Sequence, residues 1–204
     1  MLNPKIDYWF KLKGWVPHNY QIELNNKLSN LNSALVIAPT GGGKTLAGFI
    51  PAIADIIKEV PKGLHTLYIS PLKALANDIE RNLEFPIKEM ELDITLETRT
   101  GDTKQSKRNS QKLSPPNFLM TTPESFILML SWETSKKFFG NLKFLIIDEI
   151  HTLFNDKRGD LLSLGISELR NINGHFKKIG LSATVSDPKT CLLYTSPSPR
   201  DRLK

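Results

Sequence analysis

The chain has 204 residues, 40% hydrophobic and 24% charged, which fits one α/β domain with a short extension and a substantial buried core. No apolar run is long enough to span a bilayer, and Lys5 and Asp7 interrupt any signal-peptide core, so the chain reads as cytoplasmic with no membrane partner. The net charge of +6 attracts phosphate polyanions but equally describes a solvated lysine-rich surface, and the single cysteine, Cys191, excludes a disulfide framework or a cysteine metal site.

Along the chain, short β-type runs alternate with helical patterns. Strands are predicted over residues 34–38, 66–70, 94–98, 118–122, 144–148 and 178–182. Several are apolar on both faces, as buried parallel strands are. Helices are predicted over 21–30, 44–58, 72–90, 103–112, 123–130 and 161–171. Pro86 is expected to end or kink the third. Pro71 and Pro123 stand at helix starts, where a missing N–H costs nothing. The alternation implies an α/β fold with a parallel β-sheet flanked by helices on both faces. Ligands of such sheets bind at the carboxyl ends of the strands.

The first motif follows the first strand. Ala38-Pro39-Thr40-Gly41-Gly42-Gly43-Lys44-Thr45 has the spacing of a P-loop, with Ala in the first position. Glycine lets backbone N–H groups of Gly41, Gly42 and Gly43 turn toward phosphates, and the helix from Lys44 adds its positive end. In this pattern Lys44 reaches the β- and γ-phosphates of ATP, and the Thr45 hydroxyl holds Mg²⁺. The strand 144–148 ends in Asp148-Glu149-Ile150-His151. Alone, an Asp-Glu pair is a common surface loop. After a P-loop it points to hydrolysis, with Asp148 holding Mg²⁺ through water and Glu149 orienting and deprotonating the attacking water.

These residues resemble the superfamily 2 helicases of the DEAD/DEAH type, and the remaining pieces fall in that family's order. The resemblance implies a RecA-like P-loop NTPase domain. Gly14-Trp15-Val16-Pro17-His18-Asn19-Tyr20-Gln21 resembles the Q-motif, which implies Gln21 on the adenine edge. Loops containing Lys73, Arg99-Thr100-Gly101 and Thr121-Thr122-Pro123 resemble the strand-binding motifs. Ser182-Ala183-Thr184 resembles the motif that couples ATP state to domain movement, and His151 is a candidate link to it.

A finer resemblance is to the Lhr family and its bacterial ligase-associated DEXH-box branch, carried by the strings at 63–76, 97–103 and 157–162. It implies an ATP-dependent DNA helicase on single-stranded DNA, acting in DNA repair beside a DNA ligase and a nuclease, and acting as a monomer. The motifs do not separate DNA from RNA. Family members carry a second RecA-like domain with arginines that complete the ATP site. No such domain follows here, so the isolated chain is expected to bind nucleotide weakly and turn over negligibly.

Three assignments stay open at this level. Tyr8, Trp9 or Phe10 could stack on adenine or pack on the core. Trp132, Phe138 and Phe139 are assigned to packing. The basic run at Lys104, Lys107, Arg108 and Lys112 reads as a solvated helix face.

The end of the chain changes character. Cys191 to Asp201 reads C-L-L-Y-T-S-P-S-P-R-D, which matches the translation of a transposase-type sequencing adapter over all eleven residues. Residues 191–204 are therefore expected to be a disordered, non-native tail, and 1–190 the domain. The tail holds Arg200, Arg202 and Lys204 against Asp201, which is +2 of the +6.

Overall fold

A computed structural model of the chain describes residues 1–39, 41–153 and 156–184. Six strands form one sheet: β1 (Ser33–Ile37), β2 (Thr66–Ile69), β3 (Leu96–Arg99), β4 (Phe118–Thr121), β5 (Phe144–Ile147) and β6 (Lys177–Ser182). They run in the order β1-β6-β5-β2-β4-β3, and every pairing is parallel. The α/β sheet expected from the alternating pattern is therefore present.

The helices are α1 (Pro4–Leu12), α2 (Asn19–Lys27), α3 (Lys44–Ile56), α4 (Lys73–Glu89), α5 (Gln105–Leu113), α6 (Pro123–Leu130), α7 (Ser135–Phe139) and α8 (Lys157–Ile172). A 3-10 turn covers Ile150–Leu153. Side chains alternate across the sheet, so the two faces bury different residues of one strand. Tyr68 of β2 faces a core with Phe49 and Ile53 of α3 and Ile79 and Leu83 of α4. Its neighbours Leu67 and Ile69 face a second core with Phe126 of α6, Phe139 of α7 and Leu162 and Leu169 of α8. Each large side chain so buried contributes roughly 1.5–3 kcal/mol of transfer free energy.

Two helices lie outside the predicted set. α1 starts on Pro4 after Asn3, whose side chain accepts from the Lys5 N–H at 2.9 Å. Its i, i+3, i+4 residues Ile6, Trp9 and Phe10 are buried, which closes the open question in favour of packing for Trp9 and Phe10. α7 is one and a half turns, too short for a periodic signal. Phe138 and Phe139 pack in the second core as expected.

Pro86 neither ends nor interrupts α4, which runs to Glu89. Its ring lines a cleft together with Trp9 and Trp15. α8 starts four residues earlier than expected. Against α6 it comes so close that a Cβ on Gly165 would overlap Ile127 Cδ1 and stand 2.8 Å from Phe126 Cε1. No helix among the described residues is long and apolar enough to cross a membrane.

Candidate nucleotide and strand site

The strand order gathers the motifs into two neighbouring groups. β1, β6 and β5 are adjacent, so the P-loop after β1, Ser182-Ala183-Thr184 at the end of β6 and Asp148-Glu149 after β5 share one end of the sheet. β2, β4 and β3 are adjacent beyond them and carry the Lys73, Thr121-Thr122-Pro123 and Arg99-Thr100-Gly101 loops.

Gly41 and Gly43 of the P-loop have φ of 79° and 77°, a region costly for any residue with a Cβ. At Gly43 a Cβ would also stand 3.0 Å from Gln21 Nε2. Gly43 precedes α3 with no side chain to cap it, so the first-turn N–H groups are available to an anion. Thr40 lies outside the described residues.

Lys44 is buried, with Nζ 3.4 Å from Glu149 Oε1. Glu149 has φ of 44°, a strained conformation for a residue with a Cβ, of the kind concentrated at functional sites. Asp148 is buried. Oδ1 accepts from the Glu149 N–H at 2.8 Å, and Oδ2 accepts from the Tyr68 hydroxyl. Burial pushes the Asp148 carboxyl above its ordinary value and outweighs the Tyr68 and Glu149 N–H hydrogen bonds, which pull it down. Burial, and then the Asp148 charge, push the Tyr68 phenol well above its ordinary value.

His151 joins the motif ends. Its Nδ1 lies 2.8 Å from Ser182 Oγ and 3.3 Å from Glu149 Oε2, and Ser182 Oγ donates to the Thr184 carbonyl at 2.7 Å. Ala183 stands between them, half-buried.

Gln21 is buried against the P-loop. Its Nε2 donates to the Gly43 carbonyl at 3.2 Å and its Oε1 accepts from the His18 N–H at 2.9 Å. The Tyr20 hydroxyl donates to the Gly42 carbonyl. Beside Gly43 and Thr45 opens a cleft of about 500 Å³, lined by Trp15, Leu46, Leu83, Phe85 and Pro86. Trp15 is 54% exposed and sits edge-on to Trp9 at 5.6 Å. Residues 8–10 are the aromatics that the sequence offers for this role; Trp15, inside the Q-motif string, is the one that the fold turns toward the P-loop.

The strand group differs in detail from expectation. Thr100, Thr121 and Thr122 are buried, and their hydroxyls are used inside the protein. Thr100 Oγ1 accepts from the Asp102 N–H at 3.3 Å, Thr121 Oγ1 donates to the Arg99 carbonyl at 2.7 Å, and Thr122 caps α6.

Arg99 is turned inward as well. Its guanidinium lies 4.6 Å from the centre of the Trp132 ring, and Nη1 donates to the Arg108 carbonyl at 3.0 Å. Burial, then the Arg108 charge, lower it to about 10. Trp132 thus packs as a cation–π partner rather than as plain core. The guanidinium that holds the turn is that of Arg108, with Nη2 donating to the Thr100 and Gly101 carbonyls at 3.1 and 2.5 Å. Arg108 therefore leaves the solvated face assigned to it, while Lys104 and Lys107 stay exposed. Lys73 is exposed and pairs with Asp102 at 2.8 Å, beside the exposed Gly101.

The residues present fit a Mg²⁺-nucleotide. The cradle is built of positive-φ glycines, and a buried lysine faces a carboxylate pair. Among the described residues no three His, Cys, Asp or Glu gather into a metal site. A cation here would draw on Asp148, Thr45, water and phosphate oxygens, which is the usual economy of a Mg²⁺ site.

Such a sheet with such a loop defines the class: a RecA-like P-loop NTPase fold. The chain belongs to the DEAD/DEAH box helicase family, whose model matches residues 18–191.

Within that family it is similar to Lhr helicases. It is 40% identical over 167 residues to the ATP-dependent helicase Lhr-Core of Methanothermobacter thermautotrophicus, covering 75% of this chain and 19% of that protein. It is 39% identical to the Lhr-Core helicase of Methanocaldococcus jannaschii, covering 91% of this chain and 24% of that one. The structure of Mycobacterium smegmatis helicase Lhr bound to ssDNA and AMP-PNP superposes with a TM-score of 0.89 at 36% identity, over 96% of this chain and 26% of that one. The chain thus spans about a quarter or less of the length of these relatives.

Proposed function

We propose that the chain is the ATP-binding motor domain of an ATP-dependent DNA helicase or translocase that steps along single-stranded DNA. The observation that carries this reading is the convergence at one strand end. Lys44 Nζ is 3.4 Å from Glu149, and His151 Nδ1 is 3.3 Å from Glu149 and 2.8 Å from Ser182. This chain of contacts can sense the γ-phosphate position and pass its state to Ser182-Ala183-Thr184.

The P-loop amides, from Thr40 through Gly43, cradle the phosphates of ATP. Mg²⁺, held by Thr45 and Asp148, supplies neutralisation of phosphate charge when bound. Lys44 turns from Glu149 to the β- and γ-phosphates. That exchange frees the Glu149 carboxylate to orient water and accept its proton. The cleft beside Gly43 takes adenine, with Trp15 as the stacking face and Gln21 linking the base to the loop. Lys73, Gly101 and the backbone N–H groups around Thr100, Thr121, Thr122 and Pro123 face the strand, and Arg99 shapes their platform from inside.

Likeness to a solved helicase holding ssDNA and AMP-PNP supports DNA over RNA and ATP as the nucleotide. Action in DNA repair as a monomer, beside a ligase and a nuclease, rests on the strings at 63–76, 97–103 and 157–162. We also take residues 191–204 as foreign to the 1–190 domain. The eleven-residue match of 191–201 to an adapter translation carries that reading, and resequencing through codon 191 tests it.

The deciding experiment measures ATPase of the full-length protein on matched DNA and RNA strands. Greater stimulation by DNA is expected. Stimulation by RNA alone would reassign the chain to RNA, and none by either strand would sink the motor reading. Trp15→Ala should raise the KM for ATP about tenfold or more at unchanged kcat, the loss of one stacked base being worth about 1–3 kcal/mol.

A further inference from the structure

The string Lys157-Arg158-Gly159 opens α8, in the half of the sheet that carries the nucleotide motifs, yet its arginine makes contacts in the other half. Arg158 Nε donates to Glu124 Oε1 at 2.6 Å, and Arg158 Nη2 donates to the Pro71 carbonyl at 2.7 Å. Glu124 is the second residue of α6 and follows Thr122-Pro123 directly. Pro71 precedes Leu72, the N-cap of α4, whose first residue is Lys73. One planar side chain thus joins three connections, those after β5, β2 and β4, which stand side by side in the sheet.

We infer that Arg158 is a positioning residue, which holds the Pro71–Lys73 and Thr122–Glu124 loops in register with each other and with the nucleotide half, so that a strand meets both loops in one fixed relation. This rests on the motor reading proposed above.

The chemistry is specific to arginine. Two acceptors of different kinds, a carboxylate and a backbone carbonyl, are met by two nitrogens of one rigid fork. A lysine ammonium has the charge but is a single point on a flexible stem, and it cannot hold both at this spacing. Both contacts are charge-assisted; the one to the Pro71 carbonyl is half-buried and the one to Glu124 is exposed. Near Gly165, α8 lies directly against Phe126 and Ile127 of α6, a contact that does not involve Arg158 and should keep the two helices together without it. What is lost is the tie to Pro71 and the fixed start of α6.

The test compares Arg158→Ala, Arg158→Lys and Glu124→Gln in the full-length protein. Two quantities are read from ATPase: the single-stranded DNA concentration that half-saturates stimulation, and the KM for ATP without DNA. Arg158→Ala should raise the first about tenfold, which is about 1.4 kcal/mol of binding free energy. The second should stay unchanged. Arg158→Lys should recover only part of the loss, and Glu124→Gln, which keeps an acceptor oxygen, should lose less than Arg158→Ala. A half-saturating DNA concentration unchanged in Arg158→Ala, an equal rise in the KM for ATP, or full recovery by Arg158→Lys would overturn the inference.

Hydrogen exchange separates its failure from that of the motor reading. Arg158→Ala should speed exchange at the first turns of α4 and α6 and leave the P-loop helix unchanged, whether or not DNA stimulates turnover. Unaltered exchange at both turns sinks the proposal on its own.

Discussion

The Tyr68 hydroxyl donates to Oδ2 of Asp148. Tyr68 is a fully buried residue of β2, and Asp148 follows the neighbouring strand β5. The same carboxylate takes the Glu149 N–H on its other oxygen. The aspartate assigned to Mg²⁺ is therefore held in one orientation before any cation arrives.

Replacing Tyr68 by Phe keeps the ring and deletes the donor. The Mg²⁺ concentration for half-maximal ATPase should then rise about tenfold or more, the usual cost of losing a partner behind a metal ligand. A Mg²⁺ titration of wild type and Tyr68→Phe checks this. Coincident curves would show that Tyr68 only packs.

Lys44 is the sole described lysine beside Glu149 in the nucleotide group. In the full-length protein Lys44→Ala should reduce turnover by about a hundredfold or more, as removal of a donor at developing charge does. The circular dichroism spectrum should be preserved, because α3 is anchored by Phe49, Ile50 and Ile53. Turnover within a few-fold of wild type would refute the phosphate role.

At Gly165, α8 comes close to α6. A Cβ there meets Ile127 and Phe126, whereas at Gly174 it would find only the Arg170 carbonyl at 3.8 Å. Gly165→Ala should therefore destabilise the fold by about 1–3 kcal/mol, the usual cost of overpacking. Gly174→Ala is the control and should lie within about 0.5 kcal/mol of wild type, as surface substitutions do. Equal urea midpoints for the two variants would contradict this.

Lys178 is buried in β6, and burial, then the Arg170 charge, lower its pKa from 10.5 to about 7. Between those values the unfolded chain binds a proton that the folded chain does not. Stability from this group therefore rises with pH across that window. Lys178→Met should flatten the rise and raise stability most at the acidic end. Denaturant midpoints at pH 7 and at about pH 9.5 test it, inside the window that these two pKa values set. A parallel pH dependence in the two proteins would exclude Lys178 as its source.

Much of the fold was legible because its signals are local. Apolar runs such as Phe144–Ile147 need only their neighbours to read as buried strands. The Gly41–Lys44 run needs only its own sequence to read as an anion loop. What failed was of two kinds. α1 has a local signal in Asn3, Pro4 and the Ile6, Trp9, Phe10 spacing, yet lies outside the alternating pattern that defines the domain. α7 was too short to show a period. The direction of the side chains in the strand-contact loops was not legible either. A Thr or Arg in a loop looks the same whether its side chain points at solvent or, like Thr121 and Arg99, at a neighbouring strand or ring.

The sequence by itself determined that a glycine loop, a carboxylate pair and a Ser-Ala-Thr turn each follow a strand, because those are properties of contiguous residues. It could not determine that β6, the last of the described strands, lies between β1 and β5. That order comes from which crossovers bury both sheet faces, a property of the whole core. It alone brings His151 to 2.8 Å from Ser182, thirty-one residues away. It also sets β2 between β5 and β4, where one arginine can reach two loops.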